Sequence, residues 1–130
     1  MDSRILEHYR RDDVATEVAE FAKGRWLALE GQGEGGRVFV RWWRGKPLAV
    51  SSPAEFKALV ESFSGAGVRS IYATVSLYGR VASKADVEDP GNVVVATPSW
   101  DIDASLSEGE AAIEAAKLVV RFLEEKGVQE

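Results

Sequence analysis

The sequence predicts a mixed α/β (α+β) protein in which helices flank a mixed, partly antiparallel sheet. Two helical patterns come first, and predicted strands interleaved with two further helices follow them. Two of the predicted strands are joined by a short glycine-rich segment, which indicates a hairpin and therefore some antiparallel pairing. The length of 130 residues suits a single domain, residues 1–130, with one hydrophobic core.

Composition limits the classes of function. The net charge of −5 argues against a nucleic-acid binder driven by overall charge, although it allows a local basic patch. The chain has no cysteine, which excludes disulfides, a thiol nucleophile and cysteine-ligated zinc, and which suits a reducing cytoplasm. Apolar runs fall short of the roughly 18 residues of a membrane span. We therefore expect a cytoplasmic protein without membrane contact.

Two helices are predicted before the first strand. Ser3–Arg10 is the first, and Asp12 or Asp13 is expected to cap the second. The apolar stripe expected to face the core from the second helix consists of Val14, Val18, Phe21 and Ala22.

Two more helices are predicted later in the chain. A capping box formed by Ser52 and Glu55 opens the third, and Ser107 is expected to open the last, which runs to about Lys126. The residues expected to face inward from the third helix are Phe56, Leu59, Val60 and Phe63. Those expected to face inward from the last are Ala112, Ala115, Val119 and Phe122.

Four segments have the composition of strands: 25–30, 37–43, 68–78 and 93–103. In the second, alternation predicts one mixed face formed by Arg37, Phe39, Arg41 and Trp43. Two interpretations of that face stay open. It is either a hairpin surface on which arginine stems cover apolar rings, or a surface that faces a nucleotide or a nucleic acid.

The glycine-rich segment Gly31-Gln32-Gly33-Glu34-Gly35-Gly36 matches the pattern G-x-G-x-x-G. A dinucleotide-binding fingerprint must open a helix, whereas a predicted strand follows here. The Gly-Lys-Ser/Thr of a P-loop and the H-R-D and D-F-G sequences of a kinase do not occur in the chain. The segment therefore predicts a flexible hairpin loop that binds no phosphate.

Asp101 and Asp103 follow the apolar run 93–96. On an extended strand these two carboxylates point the same way, about 7 Å apart. One or two carboxylates together with substrate phosphates are enough to hold Mg²⁺, and such metals serve nucleotidyl transfer. The alternative is that the two acids only cap or terminate a strand.

The order of these pieces resembles the N-terminal part of the catalytic small subunit of archaeo-eukaryotic DNA primases, in the primase-polymerase superfamily. The similar motifs, in chain order, are His8-Tyr9-Arg10-Arg11, the strand opening with Arg25 and its glycine-rich turn, the helix beginning Ser52-Pro53-Ala54-Glu55, the strand 70–78 with Tyr72 and Tyr78, and Trp100-Asp101-Ile102-Asp103. The resemblance covers nearly the whole chain.

This resemblance implies that Asp101 and Asp103 are catalytic and bind Mg²⁺ or Mn²⁺ for template-directed primer synthesis in DNA replication. It also implies nucleoside triphosphates and single-stranded template DNA as ligands, and a primase large subunit as a partner. Arg25, Arg37 and Arg41 are the candidates for contacts with the nucleotide or the nucleic acid.

The chain departs from the family pattern downstream of Asp103. The catalytic histidine of the second motif, the acid of the third and the zinc-binding cysteines are missing, and the single histidine, His8, is interpreted as a surface or packing residue. The resemblance is therefore to the front part of a primase core, with weak metal binding and no activity alone. The alternative is a non-catalytic primase-derived module that binds a partner protein or single-stranded nucleic acid.

Overall fold

The computed structural model describes residues 1–96, 98–103, 105 and 108–128. Contacts divide the chain into two compact units, Met1–Thr97 and Pro98–Glu130, and each is described by itself. The single domain predicted for residues 1–130 stays a prediction. The mixed α/β class is confirmed.

The first unit contains four helices and seven strands in the described residues. The helices are α1 (Ser3–Arg10), α2 (Asp12–Ala22), α3 (Pro53–Ser62) and α4 (Lys84–Glu88). The strands are β1 (Leu27–Gly33), β2 (Gly36–Val40), β3 (Trp42–Trp43), β4 (Lys46–Pro47), β5 (Val68–Ala73), β6 (Leu77–Tyr78) and β7 (Val93–Val95). The described strands pair antiparallel, as a three-stranded sheet in the order β2-β1-β5 and as two ribbons, β3-β4 and β6-β7.

The core of the first unit lies between one face of the three-stranded sheet and helices α2 and α3. Phe56 and Leu59 of α3 are completely buried, together with Leu48. The predicted cap of α3 is confirmed, because the Ser52 hydroxyl accepts the Glu55 N–H at 3.1 Å. The Glu55 carboxylate in turn accepts the N–H of Ser51 rather than that of Ser52.

The inward face of α2 agrees only in part with the predicted stripe, because Ala22 is buried and Val18 packs against the core, whereas Phe21 faces solvent. Three small residues, Ala15, Ala19 and Ala22, are buried, whereas Phe21 is 60% exposed. Alanine side chains are small and let the helix backbone pack closely against its neighbours. The core therefore takes the alanine face of α2 rather than the face with the larger apolar side chains. The expected aspartate cap is also wrong, because Arg11 occupies the N-cap and makes no side-chain bond to the helix end.

The glycine-rich segment is more regular than predicted. Residues 31–33 belong to β1, and Gly33 pairs with Gly36, so only Glu34 and Gly35 remain as the turn. Gly31 is required there, because a Cβ at that position would lie 2.5 Å from the carbonyl oxygen of Gly67.

Two predicted strands are shorter in the structure. The segment 68–78 breaks into β5 and β6, and the predicted strand 93–103 is limited to β7. The connection between β6 and β7, predicted as polar and irregular, contains α4, which Ser83 and Asp86 cap reciprocally. The spacing Ser-x-x-Asp is the sequence signal for that helix.

The second unit contains one described helix, α5 (Gly109–Glu125). Ser107, which was expected to open it, lies outside the described residues. Gly127, with a φ of 80°, follows the C-cap residue Lys126, close to the predicted end of the helix. Phe122, predicted to face inward, is 55% exposed. In the described part of the chain, no helix is long and apolar enough to cross a membrane.

The position of α2 gives a test of the core. Replacing Ala19, which is 1% exposed, by leucine adds bulk where the structure leaves no space. We expect Ala19→Leu to lower the free energy of unfolding by about 1–3 kcal/mol. Phe21→Leu, the control on the exposed side of the same helix, should change it by less than about 1 kcal/mol. Urea denaturation of both variants measures the difference, and equal losses would contradict the observed face.

Candidate nucleic-acid interface

The three-stranded sheet has a second face, on the side opposite the core. Because side chains alternate along each strand, Leu27 and Leu29 of β1 enter the core while Ala28 and Glu30 point the other way. The register places Phe39 opposite Glu30 and Tyr72 opposite Ala28. We call this surface, formed by Ala28, Glu30, Arg37, Phe39, Arg41 and Tyr72, the exposed sheet face.

Two aromatic rings lie next to each other on the exposed sheet face. The ring centroids of Phe39 and Tyr72 are 6.1 Å apart with the planes tilted by 58°. The side chains come from the two outer strands and meet over β1. Phe39 is 43% exposed and Tyr72 is 49% exposed, so the pair offers an aromatic surface to solvent.

A pocket of about 390 Å³ lies between α2 and β5 and reaches Tyr72. The exposed sheet face has a separate depression of about 260 Å³. Tyr72, Ala28, Arg41 and Trp26 line this depression. The Trp26 indole N–H donates to the Arg41 carbonyl at 2.9 Å, and its ring meets Trp42 edge-on at 6.0 Å. These contacts attach the end of β2 to the beginning of β1.

The arginines of the exposed sheet face are oriented by contacts within it. Arg37 Nε lies 3.1 Å from a carboxylate oxygen of Glu30, whose side chain is 5% exposed. The Arg41 guanidinium lies 5.8 Å from the Phe39 ring centroid. The buried carboxylate holds Arg37 in place while most of the Arg37 side chain remains in solvent.

The predicted face of four residues is therefore correct for three of them. Arg37, Phe39 and Arg41 belong to the exposed sheet face, whereas Trp43 packs against the core. The Arg44 guanidinium lies 4.3 Å from the centroid of the Trp43 ring. The strand ends at Val40, so the alternation on which the prediction rested does not continue to Trp43. The contact of Arg41 with Phe39 agrees with the interpretation in which arginine side chains cover apolar rings. The Phe39 ring nevertheless remains 43% exposed.

Arg25, the third arginine predicted as a contact, has a different environment. Its guanidinium donates to the backbone carbonyls of Phe21, Thr74 and Val75 at distances from 2.6 to 2.9 Å. The same group lies 4.2 Å from the Phe21 ring centroid. These contacts connect the end of α2 to the segment that follows β5, which gives Arg25 a structural role.

Asp101 and Asp103 belong to the second unit and lie outside the described strands. The prediction that both carboxylates point to the same side of one strand is therefore wrong. Both residues are exposed, and neither makes a hydrogen bond or ion pair with any residue that the structure describes. The described residues contain no group of three or more His, Asp or Glu side chains placed to hold a metal.

His8 is exposed, and the centroid of its ring lies 5.3 Å from that of Tyr9 in an edge-on contact.

Charge is unevenly distributed between the units. Residues 98–130 contain eight of the acidic residues and three of the basic ones, so they carry the whole net charge of −5. Residues 1–97, which contain the exposed sheet face, are neutral. The overall charge is therefore a poor guide to the potential at that face.

Comparisons with models of known protein families, with curated proteins and with solved structures found no match to this chain. The fold and the site define a small mixed α/β protein with an arginine-bearing aromatic sheet surface. Descent from a primase stays a proposal, based on the motifs of the sequence.

The pair of Glu30 and Arg37 gives a test of how the face is built. Arg37→Ala leaves the buried Glu30 carboxylate without its ion-pair partner, so we expect a loss of about 1–2 kcal/mol in the free energy of unfolding. Adding Glu30→Gln to this variant should recover part of the loss, because a neutral amide costs less to bury. Thermal denaturation of the single and double variants measures the coupling. Additive losses would contradict the pairing.

Proposed function

We propose that the protein binds single-stranded nucleic acid on its exposed sheet face. The observation that supports this most is the adjacent, half-exposed pair of rings of Phe39 and Tyr72. Every base has an apolar π-face, so aromatic side chains on an open surface stack with bases without regard to sequence. The depression lined by Trp26 and Tyr72 gives a flat base further apolar contact.

Arg41 lies beside the Phe39 ring and supplies positive charge for a phosphate backbone, while the charge of the exposed Arg37 is offset by Glu30. Contact of one uncompensated cation with about one phosphate gives a slope of log K against log salt of about −0.7 for a single strand. Binding should therefore be modest in affinity and only mildly dependent on salt. The proposed role is that of a non-catalytic module of primase descent, acting in the cytoplasm.

The first test compares variants by fluorescence anisotropy with a labelled single-stranded oligonucleotide. Each lost base-stacking contact costs about 1–3 kcal/mol, so the double variant Phe39→Ala, Tyr72→Ala should bind at least about tenfold more weakly. The control is Phe21→Ala, which removes an exposed ring that lies on α2. Wild-type affinity in the double variant, or an equal loss in the control, would overturn the assignment. An absence of binding by the wild-type protein would leave a partner protein as the occupant of this face.

A second candidate function is template-directed nucleotidyl transfer with Mg²⁺ or Mn²⁺ at Asp101 and Asp103. Two exposed carboxylates without partners in the described residues favour it, because both are free to act as ligands. Nucleoside triphosphates and template DNA would complete such a site, with a primase large subunit as a partner. The chain supplies only part of the ligand set, so we propose that it has no polymerising activity alone.

The second test is a titration with Mn²⁺, followed by paramagnetic broadening of amide signals. Most of the coordination shell must stay water, so we expect dissociation constants on the order of millimolar. The variant Asp101→Asn, Asp103→Asn should lose the broadening near residues 101–103. The matched control is Glu124→Gln, Glu125→Gln, which removes the same charge from the end of α5. Broadening that persists in the aspartate variant, or disappears in the control, would exclude these ligands.

A further inference from the structure

The first unit has a cavity that is separate from the exposed sheet face. It has a volume of about 620 Å³ and lies among the β3-β4 turn, the beginning of α3 and the segment after β6. Trp43 and Tyr78 line it, and small residues such as Gly24, Ala49 and Ala58 leave its interior open. It shares no residue with the exposed sheet face.

Three cationic side chains line this cavity: Arg44, Lys46 and Arg80. The Lys46 ammonium makes no hydrogen bond or ion pair with any residue that the structure describes. The Arg80 Nε lies 3.7 Å from a carboxylate oxygen of Asp86, which is an ion-pair distance but too long for a hydrogen bond. The one carboxylate in the lining, Glu55, already accepts the N–H and the hydroxyl of Ser51. Three cationic side chains and one carboxylate thus line the cavity, so positive charge outnumbers negative charge in its lining.

The conformation of Arg44 is unfavourable for its residue type. Trp43 pairs with Lys46, so Arg44 and Gly45 form a two-residue turn with φ angles of 53° and 74°. Asparagine, aspartate or glycine is preferred at the first position of such a turn, because a longer side chain is strained at positive φ. Strain of this kind is found most often at functional sites. Here it places a guanidinium at the mouth of a cavity.

The segment that carries Arg80 is anchored by Asp86. A carboxylate oxygen of Asp86 accepts the N–H of Ala82 at 2.8 Å and that of Ser83 at 3.0 Å. These backbone bonds, with a smaller contribution from Arg80, hold the pKa of Asp86 below its usual range. Arg80 on this anchored segment lines the same cavity as Arg44.

We propose that this cavity binds a phosphate-bearing small molecule whose apolar or aromatic body packs against Trp43 and Tyr78. The guanidinium groups of Arg44 and Arg80 present planar donors that match phosphate oxygens, and Lys46 adds a point charge. A cavity of this size suits a small ligand and leaves space for its body beside the aromatic side chains. The site is independent of the proposed nucleic-acid function, since it uses other residues.

Arg44→Asn gives a test in which stability and binding change in opposite directions. Asn-Gly is a preferred pair for this turn, so the midpoint of thermal unfolding should rise by about 3 °C. The affinity for adenosine 5′-diphosphate, measured by calorimetry, should fall about tenfold because a charge-assisted hydrogen bond is lost. Lys46→Gln should also weaken binding. Arg4→Gln, which removes an exposed charge elsewhere, should leave it unchanged.

Two further probes separate the parts of the ligand. Inorganic pyrophosphate has the charge without the body, and adenosine has the body without the charge, so each should bind at least about tenfold more weakly than the diphosphate. Pyrophosphate that binds as tightly as the diphosphate would overturn the role of Trp43 and Tyr78. Unchanged affinity in Arg44→Asn would overturn the site, and so would an absence of binding by the wild type. The variant Phe39→Ala, Tyr72→Ala should keep the wild-type affinity, and its loss there would place the ligand on the exposed sheet face instead.

Discussion

The central strand β1 determines both faces of the three-stranded sheet, because successive side chains on a strand point in opposite directions. Leu27 and Leu29 enter the core on one side. Ala28 and Glu30, the residues beside them, then necessarily occupy the other side. A shift of one residue in register would bring Glu30 into the core and expose both leucines. The burial of two leucines therefore fixes the position of Glu30, which in turn orients Arg37.

The parts of this arrangement that sequence could predict are those with a local signal. The spacing of Ser52, Pro53 and Glu55 predicted the first residue of α3, because a helix cap is formed by neighbours in the chain. Arg37 and Phe39 were assigned to one face by alternation alone. Tyr72 could not be added to them, because its place beside Phe39 depends on how β5 pairs with β1, about 40 residues earlier in the chain.

The errors have identifiable physical causes. Hydrophobicity ranks Val14 and Phe21 above the alanines of α2, whereas the core selects residues that allow close approach of the helix. Trp43 was placed by extending a period beyond Val40, where the strand ends. For Asp101 and Asp103 the predicted strand was extended further, from the valines of β7 over residues that belong to no described strand. Alternation predicts a face only as far as the pairing of the strand continues.

The segregation of charge reconciles an acidic chain with surfaces that suit anions. Screening limits the interactions of exposed charges to about 8 Å at physiological ionic strength, so the potential at a surface follows the charges beside it rather than the net charge of the chain. Within residues 1–97, acids and bases are equal in number, but some of them form ion pairs, as Glu30 does with Arg37 and Asp86 does with Arg80. The Lys46 ammonium forms no ion pair with any residue that the structure describes. What an anion meets at either surface thus depends on which charges are already offset by an ion-pair partner, and this property cannot be obtained from the net charge of the sequence.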